Sequence, residues 1–174
     1  QKNIIFHFLP SRTIIRVEFD PEKMEILLSN LISNAFKYTP EGGKIVLSID
    51  ETDEKVTLVV EDNGIGIQKE FQEVIFDRFF QIENTEIFST GDGIGLSFVK
   101  HLVELHDGTI RVDSELNKGA KFIVELPKKE RVDEPVSSEE EIIIVPKSVK
   151  ENMLVVTESA SSPAAPHTLL IIDD

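Results

Sequence analysis

Asn30, Asn34 and Lys37 recur at a spacing of three and four residues. On a helix, at about 100° per residue, that spacing sets all three on one face. Two carboxamides a turn apart, followed by an ammonium, make a surface of oxygen and cation without net negative charge. Such a surface suits a hydrated Mg²⁺ beside phosphates, because an amide oxygen is a hard ligand and Mg²⁺ keeps waters while bridging phosphate oxygens. The same spacing also describes a plain solvated helix face. A second group, Asp62-Asn63-Gly64-Ile65-Gly66, places a carboxylate where it can accept from an exocyclic amine such as that of adenine. Its glycines let backbone approach a flat ligand; an Asn-Gly hairpin turn reads the same way. A third, Gly91-Asp92-Gly93-Ile94-Gly95-Leu96-Ser97, opens a helical pattern, and free N–H groups at the positive end of a helix cradle phosphates. It has neither the GxGxxG spacing of a dinucleotide fingerprint nor the GK[ST] of a P-loop, and a flexible linker is its other reading. A fourth, Ile75-Phe76-Asp77-Arg78-Phe79-Phe80, sets one cation among aromatics, a pattern that an ordinary apolar helix also has.

The elements that must position these groups follow from periodicity. Residues 4–8 and 13–19, rich in β-branched and aromatic side chains, read as two strands about the turn Leu9-Pro10-Ser11-Arg12. Asp20-Pro21-Glu22 signals a helix start, a capping carboxylate before a proline at the first helical position. Met24, Leu27, Leu28, Leu31, Ile32 and Ala35 then form one apolar stripe, and 39–43 ends the helix. Strands are expected at 44–50 and 55–62, partial helix at 68–80, a mobile loop at 83–93, a second amphipathic helix at 94–106, and a final hairpin of 109–115 with 120–126 around Asn117-Lys118-Gly119. The expected fold class is α/β (α+β), a two-layer sandwich with a mixed sheet covered on one face by about three helices.

Composition narrows the function. The chain has 174 residues, 40% hydrophobic and 29% charged, which allows a packed core. Its 18 Lys+Arg against 32 Asp+Glu, net −14, argue against sequence-independent nucleic-acid binding, which needs a basic face. With no Cys there is no thiolate metal site, disulfide or cysteine nucleophile. No apolar run approaches the roughly 20 residues of a membrane span, and none has the form of a signal peptide; a soluble, reducing compartment is compatible with this, and this part of the protein is expected to touch neither membrane nor nucleic acid. Residues 128–166 are acidic and rich in Pro, Ser and Glu, as in VDEPVSSEEE and TESASSPAAP, and read as linker. Two apolar patches at 142–145 and 153–156 interrupt it, as docking strands or as pieces awaiting a partner.

Taken in order, these motifs resemble one family. NLISNAFKYTP is similar to the N-box, EDNGIGI to the first glycine box, IFDRFFQ to the F-box and GDGIGLSFVKHLVELHDG to the second glycine box of sensor histidine kinases. The resemblance covers residues 1–127, including the closing NKGAKFIVELP. It implies a catalytic ATP-binding domain of a two-component kinase, with ATP and Mg²⁺ as ligands and an ATP lid at 81–93. By the same resemblance Asn34 would bind Mg²⁺, with Asn30 lining its face, and Lys37 would touch phosphates while Tyr38 packs near the nucleotide. Asp62 would hold the adenine amine, Gly64, Gly66 and Ile67 would shape its pocket, Arg78 would offer charge to the triphosphate, and Phe79 would anchor the lid base. Gly91, Gly93, Ile94, Gly95, Leu96 and Ser97 would receive phosphates. Asn34, Lys37 and Arg78 are the expected catalytic residues, since positioning and charge neutralisation carry phosphoryl transfer.

The ATP-hydrolysing branch of the superfamily has a Glu where this chain has Asn30, so water activation is not provided for. Asp92 and Lys121 depart from the family pattern, the first beside phosphates and the second near the adenine pocket. None of His7, His101, His106 and His167 sits in a phosphoacceptor motif; each reads as structural or solvated. The phosphorylated histidine would therefore belong to an upstream dimerisation domain of a homodimeric full-length protein. Residues 167–174, ending Ile171-Ile172-Asp173-Asp174, resemble the first strand of a receiver domain, which implies a hybrid, membrane-anchored sensor. A nucleotide-sensing module without phosphotransfer, and a serine kinase of the anti-sigma-factor type, are the rival functions.

Overall fold

The computed structural model describes residues 2–12, 15, 17, 19–82 and 93–128. Five strands form one sheet in the order β1-β2-β3-β5-β4: β1 is Ile5–Pro10, β2 Lys44–Glu51, β3 Lys55–Asp62, β4 Thr109–Glu115 and β5 Gly119–Pro127. β1 runs parallel to β2 and every other pair is antiparallel. The parallel pair is possible because the helix α1, Pro21–Tyr38, carries the chain back between them. A second helix, α2, spans Gly95–Leu105. No described helix is long and apolar enough to cross a membrane.

α1 begins where its local chemistry directs. The Asp20 carboxylate accepts from the backbone N–H of Glu22 at 3.1 Å and of Lys23 at 3.3 Å, and Pro21 follows with no N–H to satisfy. The Lys23 ammonium, 2.6 Å from the same carboxylate, holds Asp20 below the usual carboxylate range. All six residues of the apolar stripe are buried. They meet Ile45, Leu47 and Ile49 of β2, Val56, Leu58 and Val60 of β3, and Phe122, Val124 and Leu126 of β5, while α2 adds Val99, Leu102 and Val103. α2 runs back along α1, because Gly95 at its start lies against Asn30 and His106 at its end stacks on Phe19, just before α1, at 3.6 Å between ring centres. The opposite face of the sheet is charged: Lys55 and Arg111 reach Glu125 at 2.6 and 3.5 Å. The observed architecture is the expected α+β fold, a mixed sheet with its helices on one side.

Several boundaries differ from expectation. β1 runs through Leu9 and Pro10, expected in a turn; at a sheet edge proline forfeits no ladder bond, and Ser11 N–H still reaches the Ile49 carbonyl at 2.8 Å. The expected second strand, 13–19, lies partly outside the described residues, and Ile15, Val17 and Phe19 belong to no strand yet pack on the core. The segment 68–80 holds two single 3-10 turns, Lys69–Phe71 and Val74–Phe76, so the described cover is two α-helices and these turns. The patches at 142–145 and 153–156 lie outside the described residues.

Leu31, fully buried on α1 and among the core residues, tests this packing. Leu31→Ala is expected to cost about 2–5 kcal/mol, read as a lower urea midpoint with an unchanged slope.

Candidate functional site

The C-terminal half of α1 carries the first of the four chemically suggestive segments and receives the second and third, while the fourth seats on the core and against Gly93. Asn30 donates its carboxamide N–H to the Ile26 carbonyl one turn back, at 2.8 Å. Its oxygen is thereby turned toward α2: a Cβ added at Gly95 would lie 2.6 Å from Asn30 Oδ1. The glycine therefore lets the start of α2 seat on the face that also carries Asn34, half-buried one turn later. Leu96 packs on the core, Ile94 stays exposed, and the Ser97 hydroxyl donates to the Ile94 carbonyl at 2.8 Å. At the end of α1 the Lys37 ammonium lies 5.3 Å from the centre of the Tyr38 ring, and burial pushes the Tyr38 hydroxyl upward in pKa.

The loop after β3 closes against the same helix end. The Tyr38 carbonyl accepts from Ile65 N–H at 3.3 Å, and a Cβ at Gly64 would collide with that carbonyl, so only glycine permits the approach. Asp62 ends β3 at 7% exposure. Burial raises its pKa, opposed by backbone N–H groups of Gly64, at 2.8 Å, and Ala120, with the neighbouring Glu61 charge raising it further. Its described hydrogen bonds leave a carboxylate at a strand end, on the helix-covered side of the sheet, paired in register with Ala120 of β5. Gly66 has φ +68° and turns the loop toward the Glu115 carbonyl.

The aromatic segment ties in last. Ile75 and Phe76 point into the core, Phe76 meeting Phe122 edge-on at 6.4 Å. Arg78 is exposed on the turn that follows. Phe79 sits in the left-handed region, φ +66°, and is 72% exposed, and its N–H donates to the Gly93 carbonyl at 3.0 Å. Gly93, φ +65°, presses against Phe79 and Phe80. Asn30, Asn34, Gly64, Gly93 and Gly95 are thus drawn to α1 or to the Phe79 turn; Gly91, Asp92 and most of the expected lid at 81–93 lie outside the described residues.

Lys121 is a correction. It was expected near the adenine pocket, but the pleat of β5 sends it to the outer face opposite Glu61, its Nζ 3.9 Å from that carboxylate; Ala120 is the residue on the Asp62 side. His106 is structural, its Nδ1 bonded to the Leu102 carbonyl at 2.8 Å, His101 is exposed on α2 and His7 half-buried in β1, and His167 lies outside the described residues. Sequence reasoning missed Ser114, which bonds the loop from β4 across the sheet, and Gln72, which bonds it from the turn that follows, and no local signal in the sequence marks them. Among the described residues no group of three or more His, Cys, Asp or Glu could hold a metal ion, so a cation on the α1 face would rest on amide and ligand oxygens.

Residues 19–130 match the family model described as histidine kinase-, DNA gyrase B- and HSP90-like ATPase. Histidine kinase P4 of Formosa agariphila is 41% identical over 129 residues, 72% of this chain and 9% of that protein. The sensor histidine kinase WalK of Bacillus subtilis is 42% identical over 125 residues, 70% of this chain and 20% of that protein; the chain spans only about a tenth to a fifth of such relatives. Among solved structures, the catalytic domain of the histidine kinase ThkA superposes with TM-score 0.64 at 35% identity, covering 72% of this chain and 81% of that one. The mycobacterial sensor histidine kinase MprB gives 0.65 at 28%, covering 72% and 84%. The chain belongs to the histidine kinase, DNA gyrase B and HSP90-like ATPase family, and its fold is that of the histidine kinase catalytic domains within it.

Proposed function

We propose that this chain is the ATP-binding catalytic domain of a two-component sensor histidine kinase, which transfers the γ-phosphate of ATP to a histidine on a dimerisation domain preceding it in the full-length protein. The observation that carries the proposal is the double closure on α1: Gly95 against Asn30 at one level and Gly64 against the Tyr38 carbonyl at the next. One helix face is thereby flanked by a phosphate-suited helix start and an adenine-suited carboxylate. Asp62 would accept the adenine amine, Gly64, Gly66 and Ile67 would border the ring, and Lys37, Arg78 and the N–H groups at the start of α2 would meet the phosphates. Asn34 would hold Mg²⁺, which supplies charge neutralisation along the triphosphate.

Kinase is favoured over hydrolase by the chemistry of Asn30. A carboxamide cannot take a proton from water, and this one already spends its N–H on Ile26. The accepting imidazole is its own nucleophile, so the domain needs no base. Around it we place residues 128–166 as a linker and 167–174 as the start of a receiver domain, in a hybrid, homodimeric and membrane-anchored sensor whose catalytic domain faces the cytoplasm.

Incubation with labelled ATP and a separate histidine-bearing dimerisation domain should yield acid-labile phosphate on that histidine. Nucleotide binding without label would favour a nucleotide-sensing module, and acid-stable phosphoserine on a partner a serine kinase. In titration calorimetry Asn34→Ala is expected to abolish Mg²⁺-dependent ATP affinity; parental affinity would refute the metal assignment.

Asp62→Asn should weaken selection for adenine. Its stability should also respond to pH in a defined direction. The folded pKa of Asp62 is raised, so its contribution to stability is present below the unfolded value of about 3.9 and is lost as pH rises through the folded value. The melting temperature of Asp62→Asn relative to the parent should therefore be more favourable at pH 7 than at about pH 4, measured by calorimetric scans at both.

A further inference from the structure

The loop from Asn63 to Gln68 forms no regular structure, so its backbone polar groups must find partners elsewhere. At its start Asn63 is held by β2: its N–H donates to the Lys44 carbonyl at 3.1 Å and its Oδ1 accepts from Lys44 N–H at 2.7 Å. In the middle Ile65 is held by α1 and by the β4–β5 turn, its N–H on Tyr38 and its carbonyl accepting from Asn117 N–H at 2.7 Å. At its end Ile67 depends on two side chains. Its N–H donates to Ser114 Oγ at 2.8 Å, and its carbonyl accepts from Gln72 Nε2 at 3.0 Å.

Both side chains are occupied in more than one direction. The single Ser114 hydroxyl proton goes to the Gly119 carbonyl at 2.7 Å, so the oxygen both donates and accepts. The Gln72 amide bridges the Ile67 carbonyl and the Ser114 carbonyl, the latter at 2.7 Å. Gly119, with φ +100°, sits where any Cβ would collide with the Asp62 carbonyl. The chain of bonds therefore runs from Ile67 through Ser114 to the residue packed against Asp62, with Gln72 as a brace. The described side-chain bonds of Ser114 and Gln72 all go to this loop and to the β4–β5 hairpin, and none goes to Asn34, Lys37, Arg78 or the start of α2.

We propose that Ser114 and Gln72 are positioning residues that hold the loop from Gly64 to Ile67 in its nucleotide-receiving shape, and so govern binding of the adenine end while leaving the phosphate end untouched. The proposal rests on the nucleotide reading above and adds to it a division of labour between the two ends of the ligand. Neither residue touches the nucleotide; Ser114 acts through Ile67 and Gly119, and Gln72 through the Ile67 and Ser114 carbonyls. Losing one bridge of this kind should weaken Mg-ATP about five- to tenfold, the scale of one intramolecular hydrogen bond.

The test uses the whole chain carrying Ser114→Ala, Gln72→Leu or Ser114→Thr. Titration calorimetry reads Mg-ATP affinity, and competition against ATP reads magnesium tripolyphosphate. Hydrogen exchange in the nucleotide-free protein reads the Ile67 amide. Ser114→Ala and Gln72→Leu should each weaken Mg-ATP five- to tenfold with tripolyphosphate changed less than twofold, and Ser114→Thr, which keeps the hydroxyl, should stay within about twofold of the parent. Exchange at Ile67 should quicken about tenfold in Ser114→Ala. Unchanged ATP affinity in both variants, an equal loss for tripolyphosphate, or unchanged Ile67 exchange would overturn the proposal. A parent that binds no Mg-ATP would instead overturn the nucleotide reading, and Ile67 exchange would still decide whether these side chains hold the loop.

Discussion

The site is organised around one constraint, a carboxylate that is buried and still left able to act. Asp62 stands at the end of a central strand with most of its surface withdrawn from water. Withdrawal disfavours the charge, and the structure offsets that cost with two backbone N–H groups rather than with a cation. Those N–H groups are in place only because Gly64 turns back beneath α1 and Ala120 lies directly across the ladder. The partners are backbone and therefore rigid, so the carboxylate is oriented by the fold itself and keeps capacity to accept from outside.

Close backbone approach is the means by which the fold meets that constraint. α1 is the fixed body: a capped helix with one fully buried face. The loop after β3 reaches it at Tyr38 and α2 reaches it at Asn30, each through a glycine. A helix and a sheet held by apolar packing alone would allow small slides. These two contacts remove that freedom on the side where a ligand would lie, at a small cost in backbone entropy at the two glycines. The outer face of the sheet carries charge pairs such as Lys55 with Glu125, exposed and of little energetic weight.

What could be read from the sequence was what is local. The Asp20-Pro21 cap, the α1 stripe, the glycines at 64 and 95 and the Asn117–Gly119 turn are each specified within a few residues, and each appears where expected. What escaped depends on partners far along the chain. Ser114 meets Ile67 only once β4 has paired with β5 and β3. Lys121, expected near the adenine pocket, lies on the outer face because neighbouring residues of a strand point to opposite sides of the sheet. Residues 68–80 carry helical composition, yet Phe79 adopts a positive φ to meet Gly93, a tertiary demand that overrides propensity.

The bond from Phe79 N–H to the Gly93 carbonyl also bears on how this family can vary. It fixes the two ends of the intervening stretch a few ångströms apart, on a base already anchored to the core through Ile75 and Phe76. The two chain ends are thus held by the body of the domain itself, and Phe79 and Gly93 are the positions at which a change of length between them would first be felt.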